Sequence, residues 1–151
     1  MPDATAPQQA PIAIHLLHLG LPVRDQRRSL RFYQTYFGFE PASARHHPDR
    51  TVIVRNADGF DLALHPGVLP DQPAAFLHFG FQLPGAAAVL ELLARMEVDG
   101  VPILERWEES SYVAFKCLDP DGWRVEVYWE PVGFWWLDLP HRAEATAGAR
   151  P

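Results

Sequence analysis

The sequence has only one cysteine, Cys117, and neither a basic block nor a long apolar run. A single cysteine excludes a fold held together by intramolecular disulfides, and we expect a reducing, cytoplasmic location. No apolar stretch is long enough to cross a membrane, and the polar residues 1–11 lack the pattern of a secretory signal. The formal net charge of −6 argues against nucleic acid or an anionic membrane surface as the partner.

Apolar residues, in contrast, are abundant: 48% of the 151 residues are hydrophobic and 12% are aromatic, which is enough to build a core. We expect residues 1–11 to form a flexible tail and residues 12–131 to form one domain. That domain would consist of a first module at about 12–66 and a second at about 74–131, joined by a proline-rich linker. Residues 132–151 would be a C-terminal extension with a packed aromatic segment at 134–137 and a disordered end.

The two modules repeat each other in sequence. Residues 17–23 (LHLGLPV) resemble residues 77–83 (LHFGFQL) sixty positions later, and residues 58–65 resemble residues 121–128 at an offset of sixty-three. Each copy has a histidine in its first predicted strand and an Asp-Gly turn before its last one. The sequence thus predicts an α+β fold in which each module has a strand, a helix and up to three further strands.

The predicted elements follow from hydrophobic periodicity and from capping residues. The first helix begins after Asp25 and ends at Gly38, and the second covers residues 86–98. The predicted strands are 12–23, 39–45, 51–55, 60–65, 76–83, 103–107, 112–118 and 123–129.

Alternation along the strands predicts which side chains share a face. His18 and His78 lie opposite the aliphatic residues that must cover the helices. Glu126 and Tyr128 likewise lie opposite the valines that flank Glu126. Two imidazoles and one carboxylate can hold a divalent metal and leave coordination positions open. A lone buried histidine often only bonds a carbonyl, and a buried glutamate often only forms an ion pair. Three such residues at related positions favour a metal site made of His18, His78 and Glu126.

Together these features resemble the vicinal oxygen chelate superfamily, which groups glyoxalase I, fosfomycin resistance proteins, methylmalonyl-CoA epimerase, extradiol dioxygenases and bleomycin resistance proteins. The similarity runs from about residue 14 to residue 131. The motifs that carry it are His18, residues 29–33 (SLRFY), residues 37–39 (FGF), His78, residues 119–122 (DPDG) and Glu126.

The resemblance implies two paired βαβββ modules that form a cupped sheet around one divalent metal ion, with iron, manganese, zinc and nickel all open. It also implies a small-molecule substrate and a homodimer whose modules pair across subunits. His18 would then come from one subunit, and His78 and Glu126 from the other.

Two positions depart from the superfamily pattern. Ala63 stands where the repeat would place a counterpart of Glu126, so the fourth ligand of glyoxalase I and the epimerase is missing. His65, the repeat counterpart of Tyr128, is a candidate replacement. Lys116 stands where extradiol and fosfomycin enzymes commonly have a tyrosine. It is a solvated lysine, a cation that binds an anionic substrate, or a desolvated amine acting as a general acid or base. We take Lys116, Tyr128 and His65 as candidate substrate contacts and assign no catalytic residue.

The leading functional hypothesis is a metal-dependent enzyme that acts on a small oxygen-bearing substrate. Its reaction would be that of a lyase, an isomerase, an epoxide-opening transferase or an extradiol dioxygenase. The alternative is a metal-free protein, similar to bleomycin resistance proteins, that binds and sequesters a planar cationic compound. The acidic balance and the five tryptophans favour such a ligand. A third hypothesis, a structural or regulatory dimer with an unused site, has no direct support in the sequence.

Overall fold

The computed structural model of the chain describes residues 16–71, 74 and 76–131. The predicted N-terminal tail, the start of the first predicted strand and the C-terminal extension with its aromatic segment lie outside these residues. The elements of the described part follow in this order: β1 (His18–Val23), α1 (Gln26–Phe37), β2 (Glu40–His46), β3 (Val52–Arg55), β4 (Asp61–Pro66), β5 (His78–Gln82), α2 (Ala86–Val98), β6 (Ile103–Glu109), β7 (Tyr112–Leu118) and β8 (Arg124–Trp129).

The strands form two four-stranded sheets of identical topology. Their orders are β1-β4-β3-β2 and β5-β8-β7-β6, with the first and last strands of each module parallel and the other pairs antiparallel. Strands β2 and β6, at equivalent positions, both carry a register shift. The predicted α+β fold of two βαβββ modules is therefore confirmed, and the sequence repeat corresponds to a structural one.

Local signals fix the helix ends and the turns. The Asp25 carboxylate accepts hydrogen bonds from the backbone N–H groups of Arg27 and Arg28, and Gly38 ends α1 in the left-handed conformation. Gly59 and Gly122 adopt φ angles of 81° and 90° in the two Asp-Gly turns, where a side chain would be strained. The second helix has the predicted bounds.

Strand alternation sorts the core from the open face as predicted. Leu21 and Val23 of β1 and Val125 and Val127 of β8 are buried in the hydrophobic core. Residues of the opposite parity, Glu126 among them, are only partly covered. Each sheet thus packs one face against the core and leaves the side chains of the other face partly accessible.

Helix α1 is attached to the second module through the Asp-Pro-Asp-Gly turn. The Tyr33 hydroxyl donates to Asp119 Oδ2 at 2.9 Å, and the Ser29 hydroxyl donates to Asp121 Oδ2 at 3.0 Å. Arg28 donates to Asp121 Oδ1 at 2.9 Å, and the Asp121 side chain is fully buried. The sequence motifs at residues 29–33 and 119–122 therefore contact each other, and this contact joins the two modules. Neither helix of the described part is both long and apolar enough to cross a membrane.

Candidate functional site

A cavity of about 310 Å³ opens on the face of the second sheet that points away from the helix. Its lining residues are His78, Phe79, Gly80, Tyr112, Glu126, Tyr128 and Glu130. Strands β5 and β8 are parallel neighbours, and their register sets Gly80 opposite Glu126. A Cβ atom on Gly80 would lie 3.2 Å from the Tyr128 ring, so the glycine lets that ring lie against the strand.

Two of the three predicted metal ligands meet in this cavity. His78 Nε2 lies 3.2 Å from Glu126 Oε2. The other ring nitrogen, Nδ1, lies 2.7 Å from the backbone carbonyl of Phe76. A carbonyl only accepts hydrogen bonds, so Nδ1 is the donor in this contact and Nε2 is the ring nitrogen that faces Glu126. An imidazole nitrogen and a carboxylate oxygen at this distance can form an ion pair, or could both serve as ligands of a divalent metal ion.

The second oxygen of Glu126 is held by Tyr112, whose hydroxyl donates to Oε1 at 2.8 Å. Burial and then the hydrogen bond to Glu126 raise the pKa of Tyr112 well above its ordinary value, so the hydroxyl stays a donor. The sequence reasoning missed this residue. Tyr112 has the same strand parity as Lys116, four residues later on β7, and that alternation was the available signal.

Glu130 is a second residue that the sequence reasoning missed. It follows β8 with the parity of Glu126 and lines the same cavity. Its Oε2 atom is buried and has no hydrogen-bond partner among the described residues. Burial, and then the negative charges of Glu130 and Glu126, raise the pKa of Tyr128. The cavity therefore combines two carboxylates with two protonated phenols.

Lys116 lies beside this cavity with its charge already compensated. It is opposite Glu126 in the strand register, yet its Nζ atom lies 3.2 Å from Glu105 Oε2 and 4.8 Å from the centre of the Trp107 ring. The ion pair and the aromatic face both stabilise the ammonium group. Contact between Lys116 and a substrate stays a prediction.

His18 and His65 lie together in a different cavity, of about 490 Å³, on the equivalent face of the first sheet. Ala63 is part of its wall, and Thr51, which the sequence reasoning did not consider, bonds His65 Nδ1 through its hydroxyl at 2.9 Å. No three histidine, cysteine, aspartate or glutamate side chains within the described ranges are grouped closely enough to hold a metal ion. Within one chain, His18 is thus apart from the pair formed by His78 and Glu126.

Comparison with known proteins identifies a matching family and two related proteins. The family model described as "Glyoxalase/Bleomycin resistance protein/Dioxygenase superfamily" matches residues 15–127. An uncharacterized protein of Pseudomonas aeruginosa is 32% identical over 127 residues, covering 78% of this chain and 91% of that protein. The trivalent organoarsenical cleaving enzyme of Bacillus sp. (strain MD1) is 29% identical over 121 residues, covering 74% of this chain and 71% of the enzyme.

A solved structure shares the fold. It is a variant of the genomically encoded fosfomycin resistance protein FosX of Listeria monocytogenes, in complex with Mn(II) and 1S,2S-dihydroxypropylphosphonic acid. The TM-score is 0.67 at 18% identity, over 80% of this chain and 95% of that one. At 18% identity, this similarity shows that the two proteins share a fold.

Proposed function

The chain belongs to the glyoxalase/bleomycin resistance protein/dioxygenase superfamily, and we propose that it is a divalent-metal-dependent enzyme acting on a small oxygen-bearing substrate. The observation that carries the proposal is the 3.2 Å approach of His78 Nε2 to Glu126 Oε2, with the His78 proton committed to the Phe76 carbonyl on the other side of the ring. An imidazole nitrogen and a carboxylate oxygen suit iron, manganese, zinc or nickel. Mn(II) in the FosX complex supports the same class of ion.

The third ligand in this proposal is His18 of the partner subunit. His18 is the repeat counterpart of His78 and lines a cavity of its own on the equivalent sheet face. A second copy that places this cavity over His78 and Glu126 completes a set of two imidazoles and one carboxylate. The functional unit is then a homodimer with two identical shared sites.

Two hydrogen bonds within the chain orient the proposed ligands His78 and Glu126. The Phe76 carbonyl fixes the orientation of the His78 ring, and the Tyr112 hydroxyl fixes the Glu126 carboxylate, as partners of metal ligands do. A bound divalent ion would act as a Lewis acid on substrate oxygens. In this proposal the Tyr128 phenol, which lines the same cavity, donates a hydrogen bond to the substrate. Glu130 offers a carboxylate oxygen that has no partner among the described residues and that can accept a hydrogen bond from the substrate.

Four reaction types, those of a lyase, an isomerase, an epoxide-opening transferase and an extradiol dioxygenase, are compatible with this arrangement. The relative from Bacillus is a trivalent organoarsenical cleaving enzyme, which adds that substrate class to the assays. The bound metal would guide the order of testing: iron points to ring cleavage, manganese to epoxide opening, and nickel or zinc to isomerisation.

The second candidate function, sequestration of a planar cation without a metal, is favoured by one feature of the same cavity. The rings of Tyr112 and Tyr128 are 6.4 Å apart and inclined by 33°, next to the carboxylates of Glu126 and Glu130. Aromatic faces and negative charge together attract a flat cationic ligand.

The first experiment is to measure bound metal per chain after anaerobic purification. We expect about one divalent ion per wild-type chain and its loss in His18→Ala, His78→Ala and Glu126→Ala. His46→Ala removes an exposed histidine that lines neither the His78 cavity nor the His18 cavity, and this variant should keep the ion. If metal-supplemented wild type holds no more ion than the Glu126→Ala variant, the enzyme proposal is wrong. Binding of a planar dye cation, abolished by Glu130→Gln, would then support sequestration.

Mixing two inactive variants tests the shared site. When equal amounts of His18→Ala and Glu126→Ala chains are unfolded and refolded together, half of the dimers contain both chains, and each of these has one intact site. Bound metal should then recover to about a quarter of the wild-type level. No recovery would show that the three ligands do not come from different subunits as proposed.

A further inference from the structure

A third cavity, of about 560 Å³, lies on the helix side of the first sheet, between α1 and strands β2 and β3. Its wall consists of Gln26, Arg27, Leu30, Pro41, Ala44, His46, His47, Arg50, Thr51 and Val52. The volume is within the range of small-molecule sites in proteins. None of the ligands proposed for the metal belongs to this wall.

The cavity is basic in an acidic protein. Among the described residues, its wall contains Arg27, Arg50, His46 and His47 and no aspartate or glutamate, although the whole chain has a formal net charge of −6. Neither the Arg27 nor the Arg50 guanidinium has an ion-pair partner within the described residues. Arg28 of α1 and Arg45 and Arg55 of the first sheet do have carboxylate partners, so the Arg27 and Arg50 charges differ from these in being available to a ligand.

Asp49, which directly precedes Arg50 in the sequence, is directed elsewhere. Its carboxylate accepts a hydrogen bond from the Thr51 backbone N–H at 3.0 Å, and it lines the His18 cavity instead. The Thr51 backbone hydrogen bond is the main cause that lowers the pKa of Asp49. Asp49 is therefore already bonded within its own turn and, among the described residues, pairs with neither Arg27 nor Arg50.

The turn that presents Arg50 is held in an uncommon conformation. Arg50 has a φ angle of 70°, and within the described residues it is the one non-glycine residue with positive φ. Such a conformation persists only when its surroundings enforce it, and it is often found at functional positions. Here the Gln26 side-chain amide donates to the Arg50 carbonyl and to the Leu64 carbonyl, both at 2.7 Å. Gln26 thus ties the turn to β4 and fixes the place of the arginine.

Beneath the basic rim, the floor of the cavity is apolar. Val52 is buried, and Leu30 and Ala44 are partly buried. We propose that this cavity binds a small organic anion, with a phosphate or carboxylate group between Arg27 and Arg50 and an apolar body on Leu30 and Val52. Phosphates and carboxylates are the anions that guanidinium groups recognise best.

This anion site lies next to the His18 cavity, on the other side of the β2–β3 turn. His47 and Thr51 belong to the walls of both cavities, and the Thr51 hydroxyl bonds His65 Nδ1. The anion site does not depend on the metal proposed above. Its test is therefore run on protein that has been stripped of metal and dialysed free of chelator.

The test is calorimetric titration of the full-length chain with phenyl phosphate, inorganic phosphate and benzyl alcohol. We expect saturable binding of phenyl phosphate, about tenfold tighter than inorganic phosphate because the ring covers the apolar floor. Benzyl alcohol, which lacks the charge, should not bind measurably. Arg27→Gln and Arg50→Gln should each weaken phenyl phosphate binding about tenfold, the usual effect of losing one charge-assisted hydrogen bond.

Two matched variants identify the place of binding. Arg31→Gln removes an arginine of the same helix that is not part of this wall, and it should leave the affinity within about twofold of wild type. Glu126→Ala should also bind normally. An absence of saturable binding would overturn the proposal, and so would equal weakening in Arg31→Gln or loss in Glu126→Ala.

Discussion

Replacing Tyr33 by phenylalanine removes one hydroxyl from the contact between the modules. The Tyr33 hydroxyl donates to Asp119 Oδ2 at 2.9 Å, and both residues are buried. The other oxygen, Oδ1, keeps its two backbone donors, the N–H groups of Asp121 and Trp123, both at 2.8 Å. The variant therefore leaves the buried Asp119 Oδ2 atom without its Tyr33 donor, while the shape of the core is unchanged.

The expected loss is about 2 kcal/mol of unfolding free energy, because a hydrogen bond to a charged group is worth about 1.5–3 kcal/mol. For a chain of this size, that loss lowers the melting temperature by roughly 4–8 °C. Tyr36→Phe is the matched control, since its hydroxyl donates to Asp99 Oδ2 at 2.8 Å on the surface. We expect that control to cost less than about 0.5 kcal/mol. Equal losses in the two variants, measured by urea unfolding, would refute this reasoning.

The cost of Tyr33→Phe should also depend on pH. Burial raises the pKa of Asp119 above its ordinary value of 3.8, and the Tyr33 hydrogen bond opposes that rise. Between 3.8 and the folded-state pKa the folded protein binds more protons than the unfolded chain, so the contribution of Asp119 to stability falls as pH rises through that window. Losing the Tyr33 hydroxyl raises the folded-state pKa of Asp119 further, so the upper end of this pH window moves up. The destabilisation should be largest at pH values above this window and should shrink as the pH falls towards 3.8; a pH-independent loss would contradict this.

Gly80→Ala should lower stability by about 1 kcal/mol and displace the Tyr128 ring, because the new Cβ would lie 3.2 Å from that ring. Its repeat counterpart Gly20→Ala, with no atom within 4 Å of the new Cβ, should cost less, and equal melting temperatures would contradict the packing argument. Tyr112→Phe removes the hydrogen bond to Glu126 and should weaken metal binding about tenfold, as losing a partner of a ligand does. Tyr128→Phe is its control in the same titration, and an equal loss of affinity there would count against a specific role for Tyr112.

The division of the candidate site between two cavities has a consequence for function. His78 and Glu126 form a prepared pair in one chain, while His18 lies with His65 in the other cavity. If the proposed homodimer forms, each substrate would contact both walls, and reactivity would depend on dimer concentration.

Much of the fold was predictable from the sequence because its signals are local. The Asp25 cap, the Gly38 stop and the bounds of the second helix follow from backbone hydrogen bonding within a few residues. The strand faces follow from alternation, which is why Glu126 was correctly placed opposite the buried valines. The two-module architecture was predictable from the internal repeat, because two similar sequence segments form two similar modules.

The site was less predictable because its details depend on neighbouring strands. The partners of Lys116 and Glu126 are Glu105 and Tyr112, which are contributed by strands paired in a register that turns and bulges decide. Alternation assigns a face to each of these residues but not a distance. Glu130 is a similar case, because only the packing around it shows that its Oε2 atom lacks a hydrogen-bond partner within the part of the chain that the structure describes.

The sequence by itself determined the order of the elements, the two-module repeat and the sheet face on which each candidate ligand lies, because these depend on dihedral preferences and periodicity. Only the tertiary structure decided that His78 and Glu126 meet and that His18 lies in a separate cavity of the same chain. That separation depends on how the modules are oriented, which contacts between residues distant in sequence determine. Tyr33 with Asp119 and the stacked rings of Phe37 and Phe81 are two such contacts. Their geometry depends on packing the whole chain, so no local pattern in the sequence specifies it.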